Sequence, residues 1–87
     1  MTMTVGARIR RLRKAKKWSA QVFAVHIRRK AAAINKPAPS MVSLKTMISR
    51  WENNRVEPDE GNRRLLAATL GVELSDLGLT EDPDYVW

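Results

Sequence analysis

Eighty-seven residues with 44% hydrophobic content and no cysteine make one small domain with a single modest core, and they exclude disulfides, thiol catalysis and thiolate metal sites. The longest apolar runs are a few residues, too short to span a membrane, and charge near the N-terminus stands where a secretory signal needs an apolar stretch, so a cytoplasmic protein is expected. The net charge of +7 hides an asymmetry: residues 1–51 hold 13 Lys and Arg and no acid, whereas residues 52–87 hold 3 Arg and 9 acids. That block of one sign points to a polyanionic partner ahead of a basic surface kept for solubility.

VGARIRRLRKAKK (5–17) predicts a helix, with Val5, Ile9 and Leu12 on one stripe and bases over the rest. Ser19 is placed to cap a second helix from Ala20 to about Ile34, with Trp18 and Phe23 as a hydrophobic staple. Ala20, Ala24, Ile27, Ala31 and Ile34 give that helix a face small enough for close packing. Pro37 and Pro39 in NKPAPS end it. A third helix is expected from Ser43 as its cap, with Val42 and Met47 as a second staple. At ~100° per residue, Leu44, Met47, Ile48 and Trp51 share its apolar arc. Lys45, Thr46, Ser49, Arg50 and Asn53 lie outside that arc, and Glu52 sits at its boundary. Asn54 can adopt the left-handed conformation that ends a helix. Pro58-Asp59 announces a fourth helix carrying Leu65, Leu66, Thr69 and Leu70, and Gly71 stops it. VELSDLGL predicts a short fifth helix with Leu74 and Leu77 inward. TEDPDYVW reads as an acidic-aromatic tail over 80–87, its Tyr85 and Trp87 either disordered or part of an interface.

The segments ARIRRLRKAKKWS, FAVHI, TMISRWENNRVEPDE and RRLLAATLGVELSDLGL, in this order and spacing, resemble the phage-repressor/Cro-like helix-turn-helix family (XRE family). The likeness covers about residues 5–79 and is strongest for a bacterial subgroup with an elongated second helix. It implies an all-α bundle of about five helices over a DNA-binding domain 1–79; the chain departs from the compact motif by an insertion at about 28–42 between the two motif helices.

By that resemblance the third helix, 43–53, enters the DNA major groove. Lys45, Thr46, Ser49 and Arg50 take the base-reading positions. Arg50 is the strongest candidate, because a guanidinium matches the O6 and N7 acceptors of guanine with two parallel hydrogen bonds. Asn53 and Arg55 take positions that touch the phosphate backbone, with Ser43 and Gln21 as further backbone candidates. Where many family members carry Gln directly after the cap Ser, this chain has Ala20 and the Gln is displaced to Gln21. The insertion offers Arg28, Arg29, Lys30 and Lys36 to the backbone. The family also pairs an Arg late in the first helix with the Glu that follows the aromatic residue of the third, here Arg13 with Glu52. That pairing explains why the first acid of the chain follows Trp51.

Trp18 and Trp51 could stack on bases, but both have structural places as staple and core. His26 is the only histidine and has no metal-ligand partner nearby in sequence. Glu57, Asp59 and Glu60 could hold a cation, yet capping and the helix dipole account for Asp59 and Glu60 more simply. No nucleophile–base pair, phosphate-cradling Gly loop or metal-ligand cluster is evident, so neither an enzyme nor a cofactor is expected. The leading expectation is a sequence-specific regulator of double-stranded DNA, acting as a repressor. Family members often bind inverted repeats as dimers, and DYVW and the fifth helix are the candidate dimer contacts. The alternative is an antitoxin-like module that binds its own promoter and engages a protein partner through the acidic tail. A membrane-active basic peptide over 5–34 is the weakest alternative, because the apolar stripe of the first helix is narrow.

Overall fold

The Thr4 hydroxyl accepts the Ala7 N–H at 3.1 Å. That cap opens α1, Val5–Ala15, in a computed structural model that describes residues 3–87; the first two residues of the predicted 1–79 domain lie outside the described residues. The first helix closes two residues earlier than its basic run suggests. Lys17 takes a left-handed φ of 61°, and the Trp18 N–H turns back to the Arg13 carbonyl at 3.3 Å.

The second helix, α2, runs Ala20–Ala33 behind the Ser19 cap, whose hydroxyl accepts the Val22 N–H at 3.1 Å. Asn35 ends it at φ 56°, and the Lys36 N–H reaches back to the Ala31 carbonyl at 2.8 Å in the manner of a Schellman closure. Of the expected 28–42 insertion, residues 28–33 continue α2 and 41–42 already belong to the next helix, so the connection itself is only 34–40. Arg28 fastens that connection to α2 by donating to the Pro39 carbonyl at 2.8 Å.

The third helix, α3, is Met41–Glu52, and it departs from expectation at its start. Ser40, not Ser43, is the cap: its hydroxyl accepts the Ser43 N–H at 3.2 Å and lies 3.1 Å from the Ser43 hydroxyl. The second staple does not form, since Val42 is 79% exposed. Starting at position 41 puts Met41 on the same stripe as Leu44 and Ile48, so Met41 packs against the core in place of Val42. The far end of α3 follows the sequence reading, with Asn53 as cap residue and Asn54 left-handed at φ 56°.

The fourth helix, α4, is Glu60–Leu70, capped by Asp59 at 2.9 Å to the Asn62 N–H and stopped by Gly71 at φ 70°. The expected fifth helix is a single 3-10 turn over Leu74–Leu77 that buries Leu77. The described residues are thus all-helical, with four α-helices and one 3-10 turn and no strand. No helix among them is long and apolar enough to cross a membrane.

One core joins all these elements: Ile9 from α1, Phe23 and Ile27 from α2, Leu44, Ile48 and Trp51 from α3, Leu65 and Leu66 from α4, and Leu77. The third helix packs against both α1 and α2, and α4 packs against α2. The small face of α2 serves this arrangement, with Ala24 and Ala31 buried. The α1–α3 crossing is closer still. A Cβ on Gly6 would lie 2.5 Å from the Glu52 carbonyl oxygen and closer to that of Trp51. The Asn54 amide oxygen accepts the Gly6 N–H at 3.0 Å, and its NH2 donates to the Thr4 hydroxyl at 3.0 Å.

The segment after Leu79 folds back over α4. Arg64 donates to the Asp82 carbonyl at 2.8 Å and stands 5.2 Å from the Tyr85 ring centroid. Lys36 donates to the Trp87 carbonyl and lies 5.3 Å from its ring centroid. The acidic-aromatic residues thereby brace α4 against the 34–40 connection.

Candidate nucleic-acid interface

The candidate site is the outward face of α3. Because Leu44, Ile48 and Trp51 are drawn into the core, the remaining positions must face solvent: Lys45, Thr46, Ser49, Arg50 and Asn53 are all exposed. Neither Lys45, Arg50 nor Arg55 meets a carboxylate within ion-pair distance among the described residues, whose ion pairs gather on Glu52, Arg63 and Arg64. Arg50 stands at the rim of a cleft of about 210 Å³, beside Met47, Val56, Glu57 and Asn62. Arg50 thus borders the α4 side of the face, and Lys45, five residues earlier, lies ~140° away around the helix.

Not every residue on this face has free hydrogen-bonding capacity. The Asn53 amide donates to the Ser49 carbonyl at 2.8 Å and stands 3.4 Å from the Ser49 hydroxyl. The Thr46 hydroxyl turns back to the Val42 carbonyl at 3.4 Å. Ser43 is occupied at the cap with Ser40. Three of the four free donors on and beside the face are therefore the cations Lys45, Arg50 and Arg55, and the fourth is the Ser49 hydroxyl.

The residues expected to meet the phosphate backbone divide between two flanks of α2. Gln21 and Arg28, seven residues apart, share one face of α2, with Gln21 exposed and Arg28 committed to the Pro39 carbonyl of the 34–40 connection. Arg29 and Lys30 instead line a shallow cleft with His26, Ala68 and Thr69 on the α4 side. Lys36 is half-buried against Trp87. The structure brings Arg28 to the connection that leads into α3 and leaves Arg29 on the α4 side.

Behind α3, Glu52 is 7% exposed. Arg13 grips it with both arms of the guanidinium, Nε at 2.7 Å from Oε2 and Nη2 at 2.8 Å from Oε1. Its remaining Nη1 donates to the Trp18 carbonyl at 2.8 Å, so one side chain ties α1, the α1–α2 turn and α3 together. The hydrogen bonds to Glu52 raise the Arg13 pKa above the ordinary arginine range, opposed by desolvation and assisted by the carboxylate charge. Arg10 adds a third contact at 3.2 Å. Since Glu52 is the one acid among the first 52 residues, burying it leaves the surface of that half without a negative side chain.

Two participants escaped the sequence reading. Arg10 is one of the bases that cover the polar side of 5–17, and its spacing of three from Arg13 places both on one helix face. Val42 was assigned inward, and the Pro-Ser-x-x-Ser pattern of 39–43 was the signal that the helix begins one turn earlier. Trp18 is packed on three sides, against Phe23 (centroids 6.1 Å apart), His26 (4.0 Å) and the Lys16 ammonium (5.2 Å), and Trp51 is buried. Both rings are committed to the fold. Among the described residues no group of His and acids is placed to hold a metal ion.

No protein-family model, curated protein or solved structure matches the chain.

Proposed function

We propose that the chain is a sequence-specific binder of double-stranded DNA and acts as a transcriptional repressor by occupying an operator. In this reading α2, the 34–40 connection and α3 form a helix-turn-helix with a lengthened turn, and α3 lies in the major groove. The observation that carries it is the outward face of α3, a 12-residue helix whose exposed stripe holds Lys45, Thr46, Ser49 and Arg50 and no carboxylate. A helix of this length spans ~18 Å, and its width suits the major groove. The positive field of the first half supplies attraction to phosphate, and Arg55 and Gln21 fix register. The likeness of ISRWENN and its flanks to the phage-repressor/Cro-like family supports the same reading. The tail contacts with Arg64 and Lys36 hold its aromatic residues against the domain itself, which does not favour the antitoxin-like alternative.

The test is selection of bound sites from a random duplex pool at physiological salt, run beside an Arg50→Ala variant. The expected result is a guanine-containing motif that the variant relaxes at one position, with a loss of ~1–3 kcal/mol of discrimination there. Salt-sensitive binding without any motif would refute base reading by α3.

A further inference from the structure

We propose that Val42, with the γ-methyl of Thr46, is a contact for the 5-methyl group of thymine in the bound operator; this rests on the DNA reading above. Val42 is 79% exposed on the second residue of α3. It has neither a core role, which Met41 fills, nor a capping role, which Ser40 fills. Single exposed valines are ordinary on protein surfaces, but this one is aligned with the other outward residues of α3. Thr46 stands one turn further on, and its hydroxyl is turned back toward the Val42 carbonyl. A hydroxyl so directed leaves the γ-methyl as the group Thr46 presents outward. The two side chains therefore make a small apolar patch on a face otherwise composed of Lys45, Ser49, Arg50 and Asn53.

The chemistry of the face decides what covers that patch. Lys45 and Arg50 flank it without carboxylate partners, so a second copy of the same face would meet like charge. A polyanion would not. Among the base edges in the major groove, only thymine offers an apolar group, its 5-methyl. Val42 and Arg50 are eight residues apart, ~12 Å along the helix axis, so the thymine lies in a different base pair from the guanine assigned to Arg50.

The experiment uses the full chain and its selected duplex, with each thymine replaced in turn by deoxyuridine. This removes the methyl group and keeps every hydrogen-bonding atom. One or two positions should lose affinity roughly fourfold, the effect of one buried methyl. In Val42→Ala or Thr46→Ser, checked for unchanged helicity, that penalty should shrink while the dependence on guanine persists. If deoxyuridine is tolerated at every position while Arg50→Ala still relaxes a guanine, the thymine contact is wrong and DNA reading by α3 stands. A penalty that survives undiminished in both variants would assign the methyl contact to other residues. If the wild-type chain selects no motif, the underlying DNA reading fails and this inference with it.

Discussion

Replacing Arg13 with Met should cost this domain far more than the loss of any other single cationic side chain in its basic half. The change removes both hydrogen bonds to the Glu52 carboxylate, at 2.7 and 2.8 Å, and the link to the Trp18 carbonyl at 2.8 Å. The carboxylate stays behind with a side chain only 4% exposed. Breaking a buried pair from one side costs about 3–5 kcal/mol. Arg10 remains in contact at 3.2 Å but is 46% exposed, and so offsets less than about 1 kcal/mol of this. A net loss of about 3 kcal/mol corresponds to a fall in Tm of about 12–24 °C for a domain of this size. The assay is urea and thermal unfolding followed by far-UV circular dichroism, for Arg13→Met, Arg10→Met, Glu52→Met and the Arg13/Glu52 double variant. The double variant should be more stable than Arg13→Met alone, because no charge is left buried. Arg10→Met should lose under about 1 kcal/mol. The raised Arg13 pKa contributes stability below its unfolded value and loses it only as pH rises through the folded one. Its contribution is therefore constant across neutral pH. If Arg13→Met were no more destabilising than Arg10→Met, Glu52 would not be the buried counter-charge that joins α1 to α3.

Two further outcomes are expected. Gly6→Ala should destabilise the fold by about 1–3 kcal/mol, measured by the same unfolding curves, because the new methyl meets the backbone carbonyls of Trp51 and Glu52 and neither can swing aside; wild-type stability would show that α1 and α3 cross less closely than the structure has them. Arg55→Ala should weaken DNA binding about equally on all sequences and lower the slope of log affinity against log salt by about 1, read by fluorescence anisotropy at several salt concentrations; an unchanged slope would remove Arg55 from the phosphate contacts.

Local chemistry made much of the architecture legible in the sequence. The caps at Ser19 and Asp59, the left-handed Asn54 and Gly71, and the apolar stripe of α3 depend on residues within a turn or so of one another, so side-chain type and spacing suffice to place them. The same periodicity exposes Lys45, Thr46, Ser49 and Arg50, since a stripe drawn inward forces its complement out. Other features needed the fold. Ser40 and Ser43 are both competent caps, and what separates them is whether Met41 or Val42 reaches the core formed by α2 and α4. That choice added a turn to α3 and placed Val42 outside.

Contacts distant in the chain account for the rest. Residue type alone could not show that Gly6 lies under the carbonyls of Trp51 and Glu52, that Arg10 joins Arg13 on one carboxylate, or that the acidic tail returns to Arg64 and Lys36. Each depends on the position of a helix more than 15 residues away. The sequence by itself determined four of the five expected helices, their inward faces apart from Val42, and a basic half with one acid. The tertiary structure decided where that acid is buried, which bases are consumed in holding the chain together, and which remain on α3. The physical reason is that a helix face is set by a repeat of 3.6 residues, whereas the partner of a charge is set by how the helices cross.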